Sequence, residues 1–203
     1  MSYYFSNDDK VKSDIKKHDV LINSKSFSFY TDNGVFSKKG LDFGTRSLLL
    51  YVNDINGDVL DFGCGYGPIG IYIKKVFDAN VDMIDINERS IDLAKKNAEL
   101  NKVEVNIFKS NIYENITKKY DYIITNPPIR VGKKILYEIL VNAKDYLKEN
   151  GEMIFVINKD QGAKSTMKDL ETYYNVKLLG KEKGFYIISL KLHWQFAISL
   201  IEL

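Results

Sequence analysis

Asn126, Pro127 and Pro128 stand side by side just past the apolar run Tyr122 to Thr125, and Pro68, the third of the chain's 3 prolines, lies in its densest glycine cluster. Consecutive prolines carry no N–H, so a loop built on them offers carbonyl acceptors without competing donors, and their fixed φ makes it stiff. The glycine cluster, D-F-G-C-G-Y-G-P-I-G from Asp61 to Gly70, lets the backbone turn sharply and approach a ligand with no Cβ in the way. Pro68 suits the first turn of a helix that follows. Gly65, Gly67 and Gly70 fit the G-x-G-x-x-G pattern of dinucleotide sites, and Asp85 follows the next apolar run at a spacing suited to ribose hydroxyls. Asp61 argues against a pyrophosphate, whose charge it would repel, and for a ligand with a cationic amino group. A nucleoside bearing a cationic amino-acid tail is S-adenosylmethionine (SAM). A nicotinamide cofactor is the alternative on the glycine pattern alone, but no residue offers itself for hydride transfer.

These loops need elements to hold them. From Gly57 onward, short apolar runs alternate with amphipathic segments: Val59 to Phe62, Val81 to Ile86, Val103 to Phe108, Tyr122 to Thr125 and Met153 to Ile157 predict strands. Helices are predicted between them over 68–77, 88–101, 133–149 and 163–174, with Gly151 as a stop signal after the third. Such alternation specifies a doubly wound, mostly parallel α/β sheet, which binds ligands beyond the carboxyl ends of its strands. The final run, V-K-L-L-G-K-E-K-G-F-Y-I-I-S-L-K-L, leaves no room for a helix, so its two strands must form an antiparallel C-terminal hairpin and bring the sheet to seven strands. Upstream, residues 20–37 read as a hairpin turning at Asp32-Asn33-Gly34, and Gly44-Thr45 opens a helix with Thr45 as N-cap and Leu48, Leu49 and Val52 inward. The chain reads as one domain: 1–56 an extension covering the site, 57–192 the core, and 193–203 a tail with no assigned role.

Composition excludes several classes. The 203 residues suffice for one well-buried domain, and 45% apolar with 28% charged residues is ordinary globular usage. A net charge of +2 requires any basic surface to be a local patch. One cysteine and two histidines give neither a disulfide nor a metal-ligand cluster, so no metal is expected. The polar start M-S-Y-Y-F-S-N-D-D-K is no signal peptide, and no apolar run approaches a membrane span, so a cytoplasmic setting is expected. Cys64, inside the glycine loop, reads as a small loop residue, and His18 and His193 as surface or packing residues.

The ordered series D-F-G-C-G-Y-G-P-I-G, M-I-D-I-N, K-S-N-I-Y and T-N-P-P-I resembles the motifs of class I SAM-dependent methyltransferases, most closely the RsmC-type enzymes that methylate the exocyclic amine of guanine in small-subunit ribosomal RNA. G-V-F-S-K-K-G-L-D-F-G-T-R-S-L-L, residues 34–49, resembles that subfamily's entry segment. The resemblance implies that Asp61, Gly63, Gly65 and Gly67 line the methionine end of SAM, Asp85 and Ile86 the ribose, and Asn111 and Ile112 the adenine. Phe36, Gly44 and Thr45 would close the site from above.

It also gives Asn-Pro-Pro a task. An amine on an aromatic ring delocalises its lone pair and must pyramidalise to attack a methyl group. Acceptors at its N–H bonds, the Asn126 side-chain carbonyl and the Pro127 backbone carbonyl, favour that change, and a stiff loop containing Pro128 holds them in place. Ile129 departs from the family, where an aromatic residue often follows the second proline and stacks on the base; Phe36, Phe43 or another aromatic would take that role, and the sequence does not say which. Arg130, Lys133 and Lys134 would contact phosphate. The expected partner is ribosomal RNA or the small ribosomal subunit. A protein-glutamine N-methyltransferase and a catalytically silent SAM- or RNA-binding module are the alternatives, the latter disfavoured by intact Asp61, Asp85 and Asn126.

Overall fold

The computed structural model describes residues 12–128 and 132–193, so the expectations placed on Ile129, Arg130 and the tail beyond His193 lie outside the described residues. After a separate hairpin of β1 (Lys16–Ile22) and β2 (Lys25–Thr31), a short helix α1 (Phe43–Leu49) leads into the main sheet. Its strands are β3 (Asp58–Phe62), β4 (Asn80–Asp85), β5 (Asn106–Lys109), β6 (Tyr120–Thr125), β7 (Leu147–Asn158), β8 (Tyr174–Glu182) and β9 (Phe185–Leu192). They lie in the order β5-β4-β3-β6-β7-β9-β8, parallel except for β9, which runs antiparallel to β7 and β8. The expected seven-stranded doubly wound sheet with its C-terminal hairpin is the observed one.

Period-two alternation along the strands sends side chains to two faces. Val59, Met83, Ile124 and Val156 join the cluster under α1, α2 (Pro68–Phe77) and α3 (Glu88–Asn101). Leu60, Ile84, Ile123 and Phe155 join the cluster under α4 (Lys133–Asn142) and α5 (Ala163–Leu170). The chain proceeds outward from β3 through β4 and β5, then returns to β6 on the other side of β3. That reversal opens a crevice at the carboxyl ends of β3 and β6, where the glycine loop and Asn-Pro-Pro emerge.

Several local expectations need correction. The N-terminal hairpin turns at Asn23 and Ser24, both at positive φ (46° and 64°), while Asp32-Asn33-Gly34 begins the loop toward α1. A two-residue turn with both residues left-handed matches the strand twist, and Asn tolerates it. The N-cap of α1 is Asp42, whose carboxylate accepts from the Thr45 N–H, rather than Thr45 itself. Val52 is buried but lies beyond α1. Helix α4 ends at Asn142, followed by a 3-10 turn at Ala143–Asp145, and β7 begins at Leu147. Gly151 therefore sits inside β7, where the pairing slips from Tyr120↔Leu147 to Tyr122↔Glu152 and a Cβ would lie 2.9 Å from the Tyr120 carbonyl oxygen. Helix α5 stops at Leu170, and β5 spans only Asn106–Lys109.

Candidate active site

A cavity of about 520 Å³ fills the crevice. Gly63 and Gly65 adopt left-handed φ of 69° and 56°, and a Cβ on either would meet nothing within 4 Å, so both open onto space a ligand can use. Cys64 is buried beside them, and burial raises its thiol pKa, which disfavours the thiolate, the nucleophilic form.

Asp85, at the end of β4, accepts from the Gly65 N–H at 2.9 Å and from the Asn87 N–H at 2.8 Å. Burial raises its pKa, and these two N–H groups oppose that rise. A carboxylate has lone pairs for further partners, so Asp85 both braces the glycine loop and faces the cavity. Ile86, Asn111 and Ile112 line the same end. Ile112 is held at φ 51°, a costly position for a β-branched residue. The Ser110 hydroxyl donates to its carbonyl at 3.1 Å.

Asp61 departs from expectation. It is fully buried beneath the glycine loop and does not line the cavity. One carboxylate oxygen accepts from the Gly70 N–H at 2.8 Å. The N-cap of α2, Gly67, has no side chain to satisfy the helix's free N–H groups, so Asp61 does this from the neighbouring strand. Its other oxygen has no hydrogen-bond partner among the described residues, and burial pushes its pKa to about 7. Gly67 also lies behind the lining; a Cβ there would meet Met83 Cε at 2.9 Å.

Asn126 leaves the end of β6 and lines the cavity with Pro127 and Pro128. Its Nδ2 donates to Asp42 Oδ1 at 3.2 Å and to Thr45 Oγ1 at 3.0 Å. A carboxylate only accepts, so Asp42 requires the NH₂ side of the amide to face it and leaves the Asn126 carbonyl oxygen as the available acceptor. Gly44 permits this approach: a Cβ there would lie 3.4 Å from Asn126 Nδ2 and 3.0 Å from the Phe185 ring. Phe36, Gly44 and Thr45, from the segment 34–49, line the cavity. Lys133 and Lys134 are exposed at the start of α4 and are not among the lining residues, though Ile135 beside them is. Lys133 lies 3.6 Å from Asp169 and over the Tyr137 ring.

Sequence reasoning missed Asp42, Asn158, Gln161 and Phe185 as lining residues. An Asp ahead of a helix was a readable N-cap signal. Nothing local marks Phe185, which reaches the site because β9 is inserted beside β7. It also missed Asn97 on α3, fully buried, which accepts from the Tyr30 N–H at 2.6 Å and donates to the carbonyls of Tyr30 and Tyr66 at 2.9 and 2.8 Å. One amide thus ties the free edge of β2 to the glycine loop. Among the described residues no cluster of His, Cys, Asp or Glu could hold a metal, and no helix is long and apolar enough to cross a membrane.

The chain is 41% identical over 196 residues to the uncharacterized protein YbxB of Bacillus subtilis, covering 93% of this chain and 98% of that one. It is 34% identical over 181 residues to the ribosomal RNA small subunit methyltransferase C of Psychromonas ingrahamii, covering 86% of this chain but 51% of that protein. The chain thus spans about half the length of the methyltransferase C relatives. Among solved structures, the T. thermophilus 16S rRNA N2 G1207 methyltransferase (RsmC), in complex with AdoMet and guanosine, superposes with a TM-score of 0.79 at 22% identity, over 88% of this chain and 51% of that one, a likeness of fold. The family model for the methyltransferase small domain matches residues 26–189, and the chain belongs to that family.

Proposed function

We propose that this methyltransferase transfers a methyl group from SAM to an exocyclic amine of RNA, guanine N2 of small-subunit ribosomal RNA. The observation that carries the reading is the Asn126 amide, its NH₂ committed to Asp42 and Thr45 and its carbonyl left as an acceptor in the cavity shared with Asp85.

The residues present fit SAM. Gly63 and Gly65 leave room for its methionine end. Asp61 lies beneath with an unpartnered oxygen, and an ammonium bound above it would favour its ionised form. Asp85 would accept from the ribose hydroxyls, with Ile86 beside it, and Asn111 and Ile112 would border the adenine. When bound, SAM supplies an electrophilic methyl on a sulfonium. The amine nitrogen forms the new N–C bond as the C–S bond breaks, S-adenosylhomocysteine leaves, and the amine loses a proton. The Asn126 and Pro127 carbonyls accept from the amine N–H groups and favour a pyramidal nitrogen, an interaction strongest in the transition state. Lys133, Lys134 and Arg130 would meet phosphate, the sequence-independent part of the contact.

The test is transfer of labelled methyl from SAM to ribosomal RNA, small subunits and release factors in parallel, with Asn126→Ala beside the wild type. Label in RNA, kcat lower by on the order of 10²-fold in Asn126→Ala, and SAM affinity retained by calorimetry are the expected results. Label only in protein would replace the RNA reading with glutamine methylation. Full activity in Asn126→Ala would reduce Asn-Pro-Pro to a turn.

A further inference from the structure

The cavity does not end at Asn126. In the sheet order, β4 and β5 lie on one side of β3 and β6, and β7 and β9 on the other. Asp85 and Asn111 serve the first side. Over the second, the lining continues through Asn158 at the end of β7, Gln161, and Phe185 at the start of β9, with Phe43 packed on Phe185 at 5.7 Å between ring centroids. The role assigned to the cofactor uses none of these residues. We propose that this second lobe is the acceptor subsite, that Phe185 and Phe43 are the aromatic wall receiving a planar purine, and that Asn158 and Gln161 read its acceptor edge. This rests on the RNA reading above and deepens it.

Aromatic side chains are placed where a base needs them. Phe36 and Phe43 are 50% and 37% exposed, and both line this cavity. Apolar rings left partly open at a cavity mouth mark a binding surface, and a flat ring stacks on any base. Phe185 and the Asn126 amide stand on two sides of Gly44, where a Cβ would lie 3.0 Å from the ring and 3.4 Å from Asn126 Nδ2, so a base stacked on that ring would lie beside the Asn126 amide. Lys183 sits over the Phe43 ring at 5.3 Å, at the rim where a phosphate of the same nucleotide would lie.

The amides supply the chemical selection. Asn158 accepts from the Asp160 N–H through Oδ1 at 3.0 Å, and Gln161 accepts from the Asn158 N–H through Oε1 at 3.3 Å. A backbone N–H can only donate, so both carbonyls are fixed on the backbone and both NH₂ groups remain as donors. Two donors suit a guanine, whose O6 and N7 both accept. At the same edge adenine places a donor, N6–H₂, beside its N7.

Single-turnover methyl transfer to ribosomal RNA, with SAM binding by calorimetry and thermal unfolding on each variant, tests the assignment. Phe185→Leu and Phe43→Leu keep apolar volume and lose the ring. Each should raise KM for RNA about tenfold, the loss of one stacked base, while SAM affinity stays within about twofold. Phe185→Tyr should restore KM. Gln161→Glu keeps the oxygen that accepts from Asn158 but replaces the donor with a charge, so it should raise KM for RNA at unchanged SAM affinity and unfolding temperature. Unchanged KM in the two Leu variants, with Asn126→Ala inactive, would overturn the subsite and leave the proposed reaction standing. A parallel fall in SAM affinity would move the rings to the cofactor side and overturn it too. Wild-type label confined to protein would remove both readings.

Discussion

Raising the pH from about 4 to about 7 should destabilise the ligand-free protein through Asp61, and Asp61→Asn should remove that dependence. The folded pKa of this carboxyl is about 7 against 3.8 for the free group, because burial penalises its charged form more than the single Gly70 N–H favours it. Between those values the native state holds a proton that the unfolded chain has released. Stability changes with pH in proportion to protons bound unfolded minus folded, which is negative here, so it falls as pH rises through the window and levels off above about 7. A shift of about three units at 1.36 kcal/mol each sets an upper bound of roughly 4 kcal/mol. Asn keeps an oxygen for the Gly70 N–H, so the α2 cap survives while the titration disappears. Asp85 has the same sign of shift, and Asp58 and Asp169 the opposite one, so the quantity to read is the difference between wild type and Asp61→Asn. Urea unfolding at a series of pH values, with equal m-values required, supplies it. The wild type should lose ground to the variant steadily across the window. Parallel curves would refute the protonated Asp61, and a wild type gaining with pH would mean that the carboxylate is ionised and paired in the native state.

Asp85→Ala should weaken SAM binding by roughly 1.5–3 kcal/mol in calorimetry, the range for hydrogen bonds to a charged group, since the ribose acceptors and the Gly65 brace are lost together. Unchanged affinity, or tight NAD binding by the wild type, would reassign the loop. Asn97→Leu should destabilise the fold by about 2–4 kcal/mol in urea unfolding, because it strands the Tyr30 N–H and the carbonyls of Tyr30 and Tyr66 in a buried setting. A loss under about 0.5 kcal/mol would mean that the β2 edge is held by apolar packing alone.

The parallel sheet, its C-terminal hairpin and the two loops that line the cavity were legible in the residues because their causes are local. Apolar runs of strand length between helical stripes, glycines at a strand-to-helix junction and a paired proline each restrict the backbone wherever they occur. Gly63, Gly65, Asp85 and Asn126 therefore stood out without coordinates. Boundaries that depend on competition between local signals did not. The apolar stripe of α4 continues to Leu147, yet the chain leaves the helix after Asn142, because Leu147 is needed opposite Tyr120 in the sheet. Asp32-Asn33-Gly34 is a strong turn sequence, but pairing of β1 with β2 assigns the hairpin turn to Asn23-Ser24. Asp61 looked like a ligand contact from its position beside the glycines; strand alternation instead turned it beneath the loop to cap α2. The partners that orient the Asn126 amide are longer-range still. Asp42 lies 84 residues from Asn126, and Phe185 reaches the same cavity only because β9 inserts antiparallel beside β7. Side-chain type and spacing along the chain determine which loops can bind; which distant residues face those loops is decided by strand order, and that is a property of the packed sheet.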